Sequence, residues 1–356
     1  MVAQRTPRRL RTAGAACVNG GSWIRGLLLG LAAPVLARAA PTPAAPQTPR
    51  AACHVRPGGA PELARLRAAL SGGRFVAYQP TSLRVVNGQV TSADAASIRA
   101  DLSVLRGKFD SLVTYDAVHG AEGIPAIAAE LKFRALIIGV WNPSEPGELD
   151  AALTAARAYP RLILGISLGN ELLFAHRTDA TALAALAAQL HARAPQLLVS
   201  VSEPFHVYRE SGNTALLAQL DLLLPNVHPV FQTWFHGASE ATSAQFVVNV
   251  VSELSKGFCG PILVKETGVP TAPVAAGFSE AGQADFFREL RQRFPATRAH
   301  AFAYFSAFDA PWRAQDVTPI GPARAEEAHW GLYDGARHPK AAARDLPALT
   351  SPPIPP

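Results

Sequence analysis

Cysteine is scarce in this 356-residue chain: Cys17, Cys53 and Cys259 are the only three. Cys17 falls in an N-terminal leader, so the remaining pair allows one disulfide in an exported protein, or two thiols. Acidic residues are missing altogether from residues 1–40, which carry Arg5, Arg8, Arg9, Arg11, Arg25 and Arg38. These six account for the formal charge of +6, and the other 27 of the 33 basic residues balance 27 acidic ones. A nucleic-acid partner inferred from net charge is therefore excluded, because the excess lies in the leader and not on a folded face. The apolar run of the leader, residues 26–37, stops at 12 residues, short of the ~20 of a membrane span. It follows Arg25 and ends in Ala37-Arg38-Ala39, a small-x-small cleavage pattern. The expectation is a secretory signal in residues 1–40 and an exported protein, with an uncleaved anchor as the alternative.

Several motifs are absent. No Gly-x-Ser-x-Gly elbow occurs, against a serine hydrolase. His228, His236 and His300 are scattered, and no spacing matches a zinc site. Tyr78-Gln79-Pro80-Thr81 after the first strand is not a Gly-rich phosphate turn, which argues against a nucleotide cofactor and a doubly wound sheet. Gly268 and Gly277 are too sparse for the phosphate turn of a barrel acting on phosphorylated metabolites. Neither a metal nor an organic cofactor is expected.

Apolar residues make up 49% of the chain, and strand-like and helix-like segments alternate. Strands are expected at 75–79, 111–115, 135–141, 161–168, 197–201, 220–224 running into Asn226-Val-His228, 261–265 and 299–305. Helices are expected at 61–70, 93–105, 123–131, 148–158, 180–194, 243–254 and 280–294. Eight such units predict a (β/α)8 TIM barrel as a single domain over 71–345, in keeping with the ~250 residues a barrel needs. Residues 41–70 read as a Pro/Ala-rich tether with a short helix, and 346–356 as a disordered tail.

The run Leu162-Ile-Leu-Gly-Ile166 leads into Gly169-Asn170-Glu171, and a second strand ends in Lys265-Glu266-Thr267-Gly268. Catalytic groups of a parallel barrel sit at the C-terminal strand ends, so Glu171 and Glu266 should share one cleft. Two carboxyls suit acetal hydrolysis: one protonates the leaving oxygen, the other stays ionised and attacks the anomeric carbon. A solvated helix N-terminus, capped by Asn170, is the plainer account of the first motif. Aromatic residues near strand ends (Tyr78, Tyr115, Tyr304, Trp234, Trp312 and Trp330 among them) offer faces on which sugar rings stack, or serve as packing. Ser202-Glu203 and Asp309 read either as accessory cleft acids or, preferably, as rim residues paired with Arg313.

The chain resembles glycoside hydrolase family 17, the retaining β-1,3-glucanases and their glucanosyltransferase relatives. The resemblance rests on Gly169-Asn170-Glu171, Val264-Lys-Glu-Thr-Gly268, Asn226-Val-His-Pro229, and Phe305-Ser-Ala-Phe-Asp-Ala-Pro-Trp-Arg313 followed by His329-Trp-Gly-Leu-Tyr333. It implies Glu171 as acid/base and Glu266 as nucleophile, with carboxyls ~5–5.5 Å apart. It implies Tyr115 and Asn170 at the reactive subsite and Asn226 and His228 in a substrate-lining segment; the strand-end and loop aromatics Tyr78, Tyr304, Trp312 and Trp330 are expected as further sugar-binding residues. The partner implied is a β-glucan polysaccharide or oligosaccharide, handled by a monomer. Val269, His228 and Val230 depart from the plant pattern, so the likeness is to bacterial and fungal members. A transglycosylase of the same mechanism and a non-catalytic glucan-binding barrel remain as alternatives.

Overall fold

The computed structural model describes residues 56–86, 89–145, 147–315 and 324–349. The leader, Cys53 and residues 350–356 of the expected tail lie outside the described residues. Cys259 is disulfide-bonded, and the expected pairing with Cys53 rests on that undescribed part of the chain.

Eight parallel strands close into a barrel. They are β1 (Phe75–Ala77), β2 (Ser111–Val113), β3 (Ala135–Val140), β4 (Ile163–Asn170), β5 (Leu198–Pro204), β6 (Leu224–Asn226), β7 (Ile262–Thr267) and β8 (His300–Tyr304). Each pairs with its neighbour in sequence, and β8 closes on β1 through Phe75↔Ala303 and Val76↔Tyr304. A helix follows every strand: α2 (Ala95–Arg106), α3 (Ile124–Glu130), α4 (Glu148–Ala158), α5 (Ala180–Arg193), α6 (Thr214–Leu217), α7 (Glu240–Gly257), α8 (Glu280–Arg293) and α9 (Ala341–Arg344). The (β/α)8 expectation is borne out. Side chains of Asp94, Asp179, Ser239 and Ser279 cap α2, α5, α7 and α8 by accepting a backbone N–H of the first turn, which satisfies donors the helix itself cannot.

The strands are buried on both faces, and the period of two divides their side chains between two cores. Phe75, Val113, Ile137, Leu164, Leu198, Leu224, Leu263 and Ala303 fill the barrel interior. Val76, Leu112, Leu136, Ile138, Val199, Ile262, Val264 and Phe302 pack outward in the layer beneath the helices.

The expected tether helix belongs to the interior core. Helix α1 (Ala60–Gly72) precedes β1, and its Leu63, Leu66, Ala69 and Leu70 pack with the interior residues. Their helical spacing presents one apolar stripe, which stops the barrel at the end opposite the strand C-termini. Arg56 fixes the entry by an ion pair to Asp221 at 2.7 Å and hydrogen bonds to the carbonyls of Pro195 and Leu197. Leu346, at the start of the expected tail, is also buried in the outer core.

Two bulges matter for chemistry. On β4 the register to β5 shifts between Ser167 and Asn170, and on β7 the register to β8 shifts between Val264 and Thr267. An extra residue at each place breaks the strict in–out alternation and re-aims the side chains that follow.

Candidate active site

The β4 bulge is built on backbone that few residues adopt. Gly169 has φ 81 and Glu171 has φ 57. At Gly169 a Cβ would lie 2.3 Å from Leu172 Cδ1, so the position needs glycine on both counts. Glu171 carries a side chain in the left-handed region, a cost of about 1–3 kcal/mol that the surroundings must hold in place. They do so through the Glu171 N–H on the Ser202 carbonyl at 2.8 Å. The next turn is clamped by Glu203, whose carboxylate accepts the N–H groups of Leu173 and Phe174 at 2.9 and 3.2 Å.

Glu266, near the end of β7, faces this loop across the mouth. Its backbone pairs with that of Asn226 on β6, and Asn226 Nδ2 donates to Glu171 Oε1 at 2.8 Å. One asparagine thus lies between the two acids. His228 Nε2 stands 3.3 Å from Glu266 Oε2, and Lys265 Nζ lies 3.4 Å from Glu266 Oε1. Lys265 also donates to Asn170 Oδ1 at 2.5 Å and Ser202 Oγ at 3.0 Å, and sits 4.1 Å from the centre of the Tyr115 ring. Gly268 permits the close approach that follows Thr267, since a Cβ there would meet the Phe305 carbonyl at 2.3 Å.

These neighbours push the two carboxyls apart. Burial raises the Glu171 carboxyl and the charge of Glu266 raises it further, against the Asn226 hydrogen bond. Burial also works to raise Glu266, but the Lys265 ammonium, the His228 hydrogen bond and Arg313 overcome it and hold the group at about 2. One acid is therefore kept ionised while the other is made a better proton holder. Burial and the Glu266 charge raise the Tyr115 phenol well above its usual range. Its hydroxyl makes no hydrogen bond of ordinary geometry, although it feels the charge of Glu266.

The structure brings together Glu171, Glu266, Tyr115, Asn170, Asn226 and His228. It does not bring Tyr78 or Tyr304 with them. Ala77 takes the inward position of β1, so Tyr78 turns out to the helix layer, where its hydroxyl bonds Asp101 at 2.9 Å. Ala303 is inward on β8, so Tyr304 packs outward against Phe109, Phe287 and Phe302. Both follow from the two-residue period, and neither is a sugar platform.

Trp330 is at the site but only 2% exposed, set edge-on to His228 and Phe305 with its indole N–H on Glu327 at 3.2 Å. It backs the histidine and offers no open face. Trp312 is half-buried and lines a hollow with Tyr115, Phe305 and Arg313. Trp234 packs on Phe246 and lines a separate groove with Gln245 and Asn249 of α7.

The rim pairing with Arg313 is corrected as well. Glu203 holds the Leu173 and Phe174 amides. Asp309 pairs with Lys340 at 2.7 Å and accepts the Gly331 N–H, which ties down the closing segment. Arg313 lies over the Phe305 ring. Sequence reasoning passed over Lys265 as a functional residue. The available signal was a charged side chain inside an otherwise apolar strand. Among the described residues no group of three or more His, Cys, Asp or Glu is placed to hold a metal ion.

The profile of the BtgE/BtgC glycoside hydrolase domain matches residues 76–331, most of the barrel. The chain belongs to this family. As a BtgE/BtgC-family glycoside hydrolase it has a relative in the glucan 1,3-beta-glucosidase of Arthroderma benhamiae, 25% identical over 260 residues, 69% of this chain and 84% of that protein. Among solved structures, the glycoside hydrolase family 17 beta-1,3-glucanosyltransferase of Rhizomucor miehei shares the fold at TM-score 0.59 and 21% identity, over 77% of this chain and 97% of that one. An active-site mutant of the Rhizomucor miehei beta-1,3-glucanosyltransferase in complex with laminaritriose matches at TM-score 0.60 and 21% identity, over 78% and 99%. The family 17 resemblance read from the sequence is borne out for this hydrolase.

Proposed function

We propose that this glycoside hydrolase cleaves β-1,3-linked glucan with retention, using Glu266 as nucleophile and Glu171 as acid/base. The observation that carries the reading is the opposite tuning of two acids facing one mouth: Glu266 held ionised at about 2, Glu171 raised. In the first step Glu266 attacks the anomeric carbon while Glu171 gives its proton to the departing glycosidic oxygen. This forms a glycosyl ester on Glu266 and releases the rest of the chain as an alcohol. In the second step Glu171, now a carboxylate, takes a proton from water as the water attacks the same carbon, freeing Glu266. In this reading the Asn170 amide donates to the sugar 2-hydroxyl, a contact that strengthens in the transition state. The glucan is supported by the relatives, a glucan 1,3-beta-glucosidase and a glucanosyltransferase in complex with laminaritriose. The leader, with its arginines and its 26–37 apolar run, supports export.

A sugar hydroxyl in place of water would make the protein a glucanosyltransferase. Trp312, half-buried beside Tyr115 and Arg313, supports that second reading as a stacking face for an acceptor. Product analysis of laminaripentaose at millimolar concentration decides between them. Shorter sugars alone indicate hydrolysis, and early hexamer or longer products indicate transfer. An intact pentamer after long incubation with active-site-intact protein would sink the substrate assignment.

A further inference from the structure

We propose that Lys265 is a positioning residue that joins the two glutamates into one unit. It holds Glu266 directly, holds Glu171 through Ser202 and Asn226, and fixes which group the Asn170 amide shows to the sugar. The proposal rests on the assignment of Glu266 as nucleophile and Glu171 as acid/base.

Lys265 is 1% exposed, and a buried ammonium is tolerated only when its donors are used. Two of its donors are taken by Asn170 Oδ1 at 2.5 Å and Ser202 Oγ at 3.0 Å, and the ammonium pairs electrostatically with Glu266 Oε1 at 3.4 Å. The Tyr115 ring 4.1 Å away adds a cation–π face. An ammonium only donates, and that fixes the direction of every bond beyond it. Asn170 must turn its carbonyl oxygen to the lysine, which leaves its NH2 as the group free for a substrate hydroxyl. Ser202 receives the lysine at its oxygen, so its own proton is free for Asn226 Oδ1 at 3.2 Å, with Asn170 Oδ1 as a second acceptor at 3.1 Å. Asn226, its carbonyl engaged, presents Nδ2 to Glu171 Oε1 at 2.8 Å. Donation therefore runs one way, from Lys265 through Ser202 and Asn226 to Glu171.

This arrangement suits both half-reactions. In the first, the cation keeps Glu266 ionised for attack. Once Glu266 is an ester its charge is gone, and Lys265 and His228 then favour the ionised form of Glu171, which is the form that must take a proton from water. The groups that face Glu266 are Lys265, His228 after β6, Arg313 after β8, Tyr115 after β2 and Glu171 after β4. Those facing Glu171 are Glu266, His228, Lys265, Tyr115, Glu203 and Tyr208.

The test is the pH dependence of kcat/KM for Lys265→Met on laminari-oligosaccharides and on an activated aryl β-glucoside. Loss of a neighbouring opposite charge should raise the acid limb by about 1–3 units. The preference for a 2-hydroxy over a 2-deoxy glycosyl substrate should fall about tenfold as the Asn170 amide is freed to flip. A variant of lowered Tm whose limbs and 2-hydroxyl preference match the wild type would reduce the lysine to packing and overturn the proposal. Should Lys265→Met not fold, Ser202→Ala decides. It keeps the lysine beside Glu266, so the acid limb should stay, while the alkaline limb rises by about 0.5–1 unit as Asn226 loosens from Glu171. An unmoved alkaline limb in Ser202→Ala overturns the relay. Wild-type protein inert on these sugars would instead sink the underlying functional reading, so the two failures are distinguishable.

Discussion

Replacing Glu203 by glutamine should change how the stability of the fold depends on pH. Burial, with the charge of Glu171 added, raises the Glu203 carboxyl from 4.5 to about 7 against the hydrogen bonds of the Leu173 and Phe174 amides. A carboxyl whose folded value lies above its unfolded value binds its proton more tightly in the folded state. Its contribution is fully present below the unfolded value and is lost as pH rises through about 7. Between pH 5 and pH 8 the loss amounts to about 2–3 kcal/mol, at 1.36 kcal/mol per unit. Glu148 acts in the same sense: burial and the Asp116 charge raise it to about 7 against the amides of Asn142, Trp141 and Ala117. Glu266, held at about 2, contributes with the opposite sign, but its window lies below its ordinary value of 4.5 and outside this range. Wild-type unfolding free energy from urea titrations should therefore fall from pH 5 to pH 8. Glu203→Gln mimics the protonated acid, so it should match the wild type near pH 5 and lack the Glu203 share of the fall, about 2–3 kcal/mol. Parallel curves for the two proteins would show that Glu203 carries none of this fall.

Gly169→Ala must place a Cβ at φ 81 against Leu172. It should cost about 1–3 kcal/mol of stability by urea melts, and about 10²-fold in kcat/KM because it displaces Asn170 and Glu171. Leu66→Ala removes a fully buried side chain of the α1 plug and should cost about 2–5 kcal/mol with kcat unchanged in the folded fraction. Glu171→Gln should spare an aryl glycoside with a good leaving group far more than laminari-oligosaccharides, since such a group needs little protonation. Equal losses on both substrates would undo its role as the acid.

The barrel was legible because parallel strands buried on both faces write themselves as apolar runs, as in Ala135–Val140, which is buried throughout. The meeting of Glu171 and Glu266 at one mouth was legible because strand C-termini share one end of this architecture. The orientation of the aromatics was harder to read. Tyr78 and Tyr304 stand near strand ends, but Ala77 and Ala303 take the inward positions and turn them outward. Deciding that requires the register, which the bulges at β4 and β7 alter elsewhere in the barrel. The antiparallel hairpin Arg84–Val86 with Gln89–Thr91 had a signal in Asn87-Gly88, a two-residue turn pair between β-branched residues, and it was missed. From sequence the α1 plug looks like part of a tether, because its partners, Leu164, Leu263 and Ala301, come from strands far along the chain.

Attack of Glu266 on the sugar can be seen directly. A 2-fluoro-substituted activated β-glucoside slows breakdown of the glycosyl ester, so mass measurement of the intact protein followed by peptide mapping can locate it. One added glycosyl mass is expected, carried by the peptide that contains Glu266 and absent from Glu266→Gln. A label on the peptide containing Glu171 instead, or none on a protein that turns over the parent glucoside, would contradict it.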